Sequence, residues 1–285
     1  MAERRRALAK LNLYLHVVGR RADGYHLLDS LVAFAEVGDE IIADAAPGLS
    51  LKITGPYAAA LGGTPRDNLV WRAAEGLAAH AKRDAAAALS LVKNLPVASG
   101  IGGGSSDAAA TLRALASLWG IAVAEDELAA LGARLGADVP VCLLGRAAWL
   151  GGIGERVARA PALPECAVLL ANPGVALATP DVFAARRGTF SAPARFDAMP
   201  GDASGLAALL AERRNDLSDA AVVLSPAIAD VLARLAHLPG ALLARMSGSG
   251  ATCFALFATL EEAEAAAQQL RAERGEWWIA AARLL

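Results

Sequence analysis

The sequence has few of the residues that build metal sites or disulfide frameworks. Among its 285 residues it has only three cysteines, Cys142, Cys166 and Cys253, which are far apart and include no C-x-x-C pair. An odd, scattered set of this kind is typical of buried thiols in a reducing compartment and argues against a structural zinc site. His, Cys, Asp and Glu form no cluster with ligand spacing either, so the sequence predicts no metal ligands from the protein itself.

An excess of charge of either sign is also lacking. The chain carries 27 Lys and Arg against 29 Asp and Glu, for a net charge of −2. This balance gives no electrostatic reason to expect a nucleic acid or an anionic membrane surface as a partner. With 55% hydrophobic and 20% charged residues, the composition is that of a folded globular protein.

Long apolar runs are missing too. The longest uncharged runs, 166–180 and 246–260, have 15 residues each and contain glycine, so both are too short to cross a bilayer. The basic residues near the start precede an apolar run, but no cleavage-like site follows, and a signal peptide is not predicted. We therefore expect a cytoplasmic protein with no membrane partner.

The most informative stretch is PVASGIGGGSSDAAATL, residues 96–112. Its four glycines, at 100, 102, 103 and 104, run directly into Ser105, Ser106 and an Ala/Leu-rich helical pattern. Glycine lets a backbone approach a ligand closely, and the N–H groups at a helix start attract anions. Ser105 and Ser106 are good candidates for the helix N-cap, with hydroxyls left for a ligand. The stretch predicts a phosphate-binding loop.

Three common nucleotide-binding motifs do not fit this loop. A Walker-type loop needs Lys and then Ser or Thr after its last glycine, whereas Gly104 is followed by Ser105, Ser106 and Asp107. A G-x-G-x-x-G fingerprint fails because Ser105 occupies its sixth position. The H-R-D and D-F-G segments of protein kinases are absent.

Hydrophobic periodicity predicts an α+β fold in which helices pack on mixed sheets. Strict alternation over residues 10–17 predicts a half-buried strand, with Lys10 and Asn12 on one face. An amphipathic helix is expected over 66–83, with Asp67 or Asn68 near its cap. The remaining predicted elements are a Gly19–Gly24 turn, extended segments at 25–34, 40–42 and 51–54, strands at 88–96 and 166–172, helices from the glycine loop to 119 and at 125–135, a 147–157 hairpin, helices near 204–213, 215–224 and 226–237, and a C-terminal strand, glycine turn, strand, helix and strand. Residues 186–203 have little pattern and are expected to be a mobile loop.

The glycine loop resembles the second motif of the GHMP small-molecule kinases, P-x-x-x-G-L-G-x-S-S-x-x-A. The longer glycine run is similar to that of the members that phosphorylate 4-diphosphocytidyl-2-C-methyl-D-erythritol. Six segments match in order: A-K-L-N-L, G-R-R-A-D-G-Y-H, the glycine loop, G-A-D-V-P-V, N-P-G-V…T-P and S-G-S-G-A. The chain departs from the pattern at Ala98 and Ser99, where some members have glycine, and at Ile101, where Leu is usual. The match is weakest over 184–214.

The resemblance implies a two-domain α+β fold, with an ATP-binding domain over residues 1–158, a C-terminal domain over 159–285, and ATP and substrate meeting in the cleft. It implies transfer of the ATP γ-phosphate to the 2-hydroxyl of the cytidyl substrate, a step of the non-mevalonate pathway of isoprenoid precursor synthesis. Mg²⁺ would arrive with ATP, held partly by phosphates and water. The ATP-binding residues implied are Pro96, Val97, Ala98, Ser99, Gly100, Ile101, Gly102, Gly103, Gly104, Ser105 and Ser106, with Asn68 and Lys93 as neighbours of the adenine.

Asp138 and Lys10 are the implied catalytic residues. Asp138 follows a helix stop at Gly136 and precedes Pro140, so it cannot lie in a regular helix interior; by spacing alone it could equally cap a turn. The resemblance assigns it as the general base. Lys10 is one of four lysines in an arginine-rich chain, and a solvated strand end is the plainer interpretation of its position. The resemblance implies that it lowers the pKa of the hydroxyl or of Asp138 and stabilises developing charge.

Tyr25 and His26 are the most substrate-specific feature. A Tyr can stack on a planar base and a His can exchange hydrogen bonds with its edge; without the resemblance, aromatic packing after a turn would explain them equally well. Phe183 resembles a second stacking aromatic. The other implied substrate-binding residues are Asn12, Thr179, Gly248, Ser249 and Gly250; the 247–252 turn would support the loop and the diphosphate. His16, His80 and His237 are interpreted as structural or exposed.

Two other functions are consistent with parts of the pattern. A homoserine- or mevalonate-type kinase of the same superfamily would share the loop but lack the G-Y-H segment. A non-catalytic nucleotide-binding regulator would keep the loop and lose the base, and the presence of both Lys10 and Asp138 argues against it.

Overall fold

The computed structural model describes residues 2–285, and within them the chain forms ten β-strands and nine α-helices. The strands are β1 Glu3–Arg20, β2 His26–Asp44, β3 Leu49–Thr54, β4 Ala87–Val92, β5 Ala148–Gly152, β6 Arg156–Arg159, β7 Ala167–Asn172, β8 Leu243–Met246, β9 Cys253–Phe257 and β10 Trp278–Arg283. The helices are α1 Leu69–His80, α2 Gly103–Leu118, α3 Glu125–Leu135, α4 Val139–Leu144, α5 Thr179–Ala185, α6 Ala203–Ala211, α7 Ser218–Leu224, α8 Ala227–His237 and α9 Leu260–Glu273. The predicted α+β class is confirmed. None of the helices in residues 2–285 is both long and apolar enough to span a bilayer.

The chain divides into two compact units that are not contiguous in sequence. The first unit comprises the chain up to Ala9, Gly38–Val97 and Gly102–Gly145, and the second comprises Lys10–Val37, Ala98–Ile101 and Arg146–Leu285. Neither unit corresponds to one half of the sequence, because the long strands β1 and β2 contribute residues to both units. The predicted domain boundary between residues 158 and 159 stays a prediction.

The first unit packs helices on a small sheet. Strand β4 runs parallel to β3 and antiparallel to the C-terminal part of β2, with Glu40 opposite Val92. Helices α1, α2, α3 and α4 cover the sheet with apolar side chains such as Leu77, Leu112 and Leu131. The helix predicted over 66–83 is shorter at both ends, Leu69–His80. Of the two cap candidates Asn68 is the N-cap, because its side chain accepts the N–H of Val70 at 2.9 Å.

The second unit contains a four-stranded antiparallel sheet in the order β10-β7-β9-β8. Its central strands β7 and β9 are buried along their whole length and read as continuous apolar runs, as strands covered on both faces do. Helices α8 and α9 pack on the sheet through residues such as Val231 and Leu270. In the same unit the predicted hairpin of β5 and β6 pairs with the N-terminal part of β2.

The structure corrects several predicted boundaries. The separate extended segments expected at 25–34 and 40–42 form one strand, β2, of 19 residues. The strand expected over 88–96 ends at Val92, before the turn towards Pro96. Helices α4 and α5 were not predicted. Each has only six or seven residues and carries Pro at its second position, and fewer than two helical turns are too short to show a hydrophobic periodicity.

Residues 186–203 have no helix or strand before Ala203, but they are not loosely attached. The N–H of Ser191 donates to Val17 O at 3.0 Å and that of Ala194 to Asp29 Oδ2 at 2.7 Å. The guanidinium of Arg195 adds an ion pair to Asp29 at 3.1 Å. The groups that bind the segment lie more than 160 positions earlier in the chain, so no local pattern indicates these contacts; the mobility expected for the loop stays a prediction.

Candidate active site

The part of the glycine loop that belongs to the second unit, Ala98–Ile101, lies against the glycine turn at 247–252. Ser99 O accepts the N–H of Thr252 at 3.0 Å. Gly100 adopts a φ of +76°, and a Cβ there would lie 2.5 Å from Ser247 O. Both the positive φ and the close approach therefore require glycine at this position. Ala98 also has a positive φ, +51°, which costs an alanine about 1 kcal/mol or more, so the departure from glycine there has a backbone cost.

The 247–252 turn is held by polar groups that the sequence motifs did not single out. Ser247 Oγ donates to Gly100 O at 3.0 Å and accepts the N–H of Asn12 at 3.1 Å. The buried Asn215 donates through Nδ2 to Met246 O and Gly248 O, both at 2.8 Å. The sequence could have indicated a role for Ser247, because it is the first residue of the S-G-S-G segment. No motif surrounds Asn215, so its role could not be predicted from neighbouring residues.

Helix α2 begins at the glycines with its N–H groups uncovered. Gly102, with φ +64°, is the N-cap residue and supplies no side chain. The first intrahelical bond of the helix runs from Ser106 N to Gly102 O at 2.9 Å, so the N–H groups of Gly103, Gly104 and Ser105 precede it and have no acceptor within the helix. No side chain at residues 102–104 can cover these amides, and the helix dipole favours an anion there.

The prediction of a serine N-cap is wrong. Glycine at 102 can take the left-handed conformation, so the N-cap lies three residues before Ser105 and the helix begins at Gly103. Ser106 does not point its hydroxyl at a ligand site, since its Oγ donates to Leu8 O at 2.7 Å and lies 3.3 Å from Cys142 Sγ. The backbone amides of residues 103–105, rather than the Ser106 hydroxyl, have the arrangement that favours an anion.

Lys93 lies below the start of α2 in a buried ionic cluster. Its Nζ donates to Asp39 Oδ2 and, at 2.8 Å, to Asp107 Oδ2. Burial would lower the pKa of Lys93, but the two carboxylates more than offset this and raise it. Burial raises the pKa of Asp107 to about 7; Lys93 opposes this shift and Asp39 adds to it. The adenine contact predicted for Lys93 stays a prediction, as does that of Asn68, whose side chain caps α1.

Lys10 and Asn12 lie on the same face of β1, as the alternation predicts, but the prediction of a half-buried strand is wrong, because both faces of β1 are buried over residues 9–17. Lys10 Nζ donates to Asn12 Oδ1 at 3.2 Å, and Asn12 Nδ2 donates to Ser30 Oγ at 2.9 Å. Only 4% of Lys10 is exposed, so this is not the solvated strand end of the plainer interpretation. The backbone N–H of Lys10 donates to Ile101 O at 2.9 Å, which joins the strand to the glycine loop.

Asp138 is half-buried at the N-cap of the six-residue helix α4. Its carbonyl accepts the N–H of Cys142 at 3.1 Å, so its backbone is fixed at the start of a helix rather than within one. The expected position outside a regular helix interior is confirmed, although the helix that follows was not foreseen.

The residues predicted to bind the substrate form two contacts in the second unit. The rings of His26 and Phe183 stack, with centroids 5.1 Å apart and planes inclined by 23°. Tyr25, which precedes His26 in the chain, is 60% exposed. Burial, together with Arg20 and Arg186, lowers the pKa of His26, which favours a neutral imidazole that can both donate and accept. Thr179 Oγ1 lies 2.8 Å from Ser249 Oγ.

The other three histidines have structural or surface positions, as predicted. His16 is buried, with Nδ1 at 2.9 Å from Ala192 O and Nε2 accepting the N–H of Arg214 at 3.3 Å. His80 and His237 are exposed at the ends of α1 and α8.

Comparison with protein families shows matches in both halves of the chain. The model described as GHMP kinases N terminal domain matches residues 68–146, and that described as GHMP kinases C terminal matches residues 196–276. The first of these matches contains the glycine loop and Asp138.

Similar proteins match over nearly the whole chain. The relative from Rhodospirillum rubrum is 54% identical over 279 residues, covering 98% of this chain and 91% of its own. One from Cereibacter sphaeroides is 55% identical over 284 residues, covering 98% of each chain. Both are named 4-diphosphocytidyl-2-C-methyl-D-erythritol kinase.

Solved structures share the fold. A crystal structure of 4-(cytidine 5'-diphospho)-2C-methyl-D-erythritol kinase is 37% identical, with a TM-score of 0.78 over 99% of this chain and 98% of that one. Homoserine kinase from Cytophaga hutchinsonii, at 17% identity and a TM-score of 0.65, covers 99% of this chain and 94% of its own and shows the same fold. The two family matches, the full-length relatives and the solved structure agree: the chain is a small-molecule kinase of the GHMP family, and within it belongs to the group named 4-diphosphocytidyl-2-C-methyl-D-erythritol kinase.

Proposed function

We propose that the protein transfers the γ-phosphate of ATP to the 2-hydroxyl of 4-diphosphocytidyl-2-C-methyl-D-erythritol. The observation that carries this proposal is the identity of 54–55% over 98% of the chain to relatives named for that activity. A match of this extent includes the glycine loop, the G-Y-H segment and both proposed catalytic residues.

ATP would be held by backbone amides. The N–H groups of Gly103, Gly104 and Ser105 precede the first hydrogen bond of α2 and suit the oxygens of a triphosphate, whose negative charge the helix dipole also favours. The glycines leave these amides uncovered, so the structure fits a phosphate group. Mg²⁺ would accompany ATP, bound mainly by phosphate oxygens and water, as is usual for Mg²⁺ at kinase sites.

In the proposed reaction Asp138 accepts the proton of the attacking hydroxyl. A carboxylate at a helix N-cap, half-buried and on fixed backbone, is suited to a general base that must be within hydrogen-bond reach of one proton. The ammonium of Lys10, held by Asn12 at 3.2 Å, would stabilise the negative charge that develops on the hydroxyl oxygen.

The cytosine base would be recognised by rings and one imidazole. His26, stacked on Phe183, has a lowered pKa and can exchange hydrogen bonds with the edge of the base as a neutral ring. Tyr25 is exposed and available to stack. Asn12, Thr179 and the 248–250 turn complete the proposed substrate-binding set, and the product would enter the non-mevalonate pathway in the cytoplasm.

An ATP-consumption assay with three alcohols tests the proposal. We expect turnover with 4-diphosphocytidyl-2-C-methyl-D-erythritol and none above background with homoserine or mevalonate. Preference for homoserine or mevalonate would place the protein with another GHMP activity despite its relatives. If the protein binds ATP but consumes none with any of the three alcohols, the result would favour a non-catalytic nucleotide-binding regulator.

A further inference from the structure

Three charged side chains are buried together in the first unit and have no part in the proposed chemistry. Asp39, Lys93 and Asp107 expose 1%, 2% and 3% of their surfaces, and Lys93 bridges the two carboxyl groups. Burying charged groups has a high desolvation cost, which ion pairing only partly offsets. We refer to this group as the Asp39–Lys93–Asp107 cluster.

The first link from the cluster leads to the beginning of the glycine loop. Asp39 Oδ1 accepts the backbone N–H groups of Asn94 at 2.6 Å and Leu95 at 2.8 Å. These two residues follow Lys93, the first residue after β4, and precede Pro96, where the loop begins. One carboxylate in β2 therefore fixes the direction in which the chain enters the loop.

The second link leads to the start of α2. A Cβ on Gly103 would lie 3.1 Å from Lys93 Nζ and 3.6 Å from Asp39 Oδ2, so the first residue of the helix rests directly on the ion pair. Asp107, in the second turn of the same helix, binds Lys93 from the other side at 2.8 Å. The cluster thus supports the turn that carries the uncovered N–H groups.

The cluster can also support this turn without adding charge beneath it. Asp107 Oδ1 is buried and, within residues 2–285, has no hydrogen-bond partner, which suits a protonated carboxyl better than a carboxylate. With Asp39 ionised and Asp107 protonated, the cluster has no net charge. The amides above it can then bind an anion without repulsion from below.

We infer that Asp39 and Lys93 are positioning residues for the nucleotide: they hold the loop entrance and the first turn of α2 so that the amides of residues 103–105 face the triphosphate. The inference rests on the proposed function and deepens it. Loss of the ion pair should weaken ATP binding selectively, since its contacts lead to the nucleotide loop.

The experiment compares Lys93→Met and Asp39→Asn with the wild type. Methionine keeps the length of the lysine side chain without its charge. An asparagine at 39 has only one side-chain oxygen. If that oxygen accepts the N–H groups of Asn94 and Leu95, its NH₂ group faces the Lys93 ammonium, and two hydrogen-bond donors then oppose each other. For both variants we expect the Kd of a non-hydrolysable ATP analogue and the KM for ATP to rise at least about tenfold. The kcat at saturating ATP should stay within about threefold, and the KM for the cytidyl substrate within about twofold.

Two matched variants should leave the analogue Kd within about twofold of the wild type. Asp107→Asn makes the same chemical change as Asp39→Asn within the cluster, but its amide oxygen still accepts from Lys93. Glu125→Gln weakens an exposed ion pair, 2.8 Å long, between Glu125 at the start of α3 and Arg113 of α2.

Wild-type affinity for the analogue in folded Lys93→Met and Asp39→Asn would overturn the inference, and so would equal rises in the KM values for both substrates, which indicate general loosening. If circular dichroism shows that Lys93→Met does not fold, Lys93→Met/Asp107→Asn replaces it. That variant leaves one buried carboxylate with two N–H partners, and wild-type affinity in it overturns the inference equally. Because analogue binding needs no alcohol, failure of the wild type to phosphorylate the cytidyl substrate would count against the proposed function alone.

Discussion

Replacing Asp107 by Asn should stabilise the protein at neutral and alkaline pH and leave it nearly unchanged in acid. The asparagine has the shape of the protonated carboxyl and keeps an oxygen for Lys93. Its NH₂ group takes the place of Oδ1, which is buried without a partner within residues 2–285. The variant is therefore a permanent copy of the protonated state.

The size of the effect follows from the pKa of Asp107, which burial, with the opposing effect of Lys93 and the added effect of Asp39, raises from 3.8 to about 7. Between these two values the folded chain holds a proton that the unfolded chain has lost. The free energy of unfolding then falls as the pH rises, by up to about 1.4 kcal/mol per pH unit. The stabilisation that the protonated Asp107 carboxyl contributes is fully present below pH 3.8, falls as the pH rises, and is lost once the pH passes about 7. Above pH 7 the variant should be more stable than the wild type by a few kcal/mol.

Urea unfolding followed by circular dichroism at pH 5, 6, 7 and 8 measures this difference. Asp67→Asn is the control with the opposite sign, since Thr64 donates its N–H and hydroxyl to the Asp67 carboxylate, both at 2.8 Å, and lowers its pKa. The stabilisation by Asp67 is present above pH 3.8 and disappears in acid, so Asp67→Asn should be the less stable protein at pH 7. The reasoning is refuted if Asp107→Asn differs from the wild type equally at pH 5 and 8, or is less stable at pH 8. Asp107 would then be ionised throughout, and its bond to Lys93 would be stabilising.

Three further substitutions test the site and the fold. Asp138→Asn should lower kcat by about 100-fold or more with ATP-analogue binding intact, and unchanged turnover would remove Asp138 as the base. Tyr25→Ala should raise the KM for the cytidyl substrate and leave that for ATP unchanged, whereas a joint rise would mean a structural role. Arg245→Met should lower the free energy of unfolding by about 3 kcal/mol or more, because the buried guanidinium donates to three main-chain carbonyls at 2.7 to 2.8 Å; a loss below about 1 kcal/mol in urea unfolding would show that other donors replace it.

The glycines of the two loops are needed for different physical reasons. Gly100 and Gly248 are required by close approach, since a Cβ on Gly248 would lie 2.6 Å from Gly100 O. Gly102 is required by its left-handed backbone at the helix N-cap, and a Cβ on Gly103 would crowd the Lys93 ammonium at 3.1 Å. Only Gly103 is therefore coupled to the ionic cluster, and the sequence motif makes no such distinction.

Local sequence determined the elements and the chemistry that depends on neighbouring residues. Alternation along β1 placed Lys10 and Asn12 on one face, the cap at Asn68 began α1, and the glycines began a helix with uncovered amides. These patterns act over two to four residues, so they can be read without knowing the fold.

Tertiary structure alone decided the contacts that hold the site in place. Asp39 and Lys93 are 54 positions apart and Asn215 and Gly248 are 33 apart, and no local pattern relates the members of either pair. Such contacts depend on which strand ends and helix starts meet after packing. The buried charge of the cluster, and hence the raised pKa of Asp107, exists only once water has been excluded from around it.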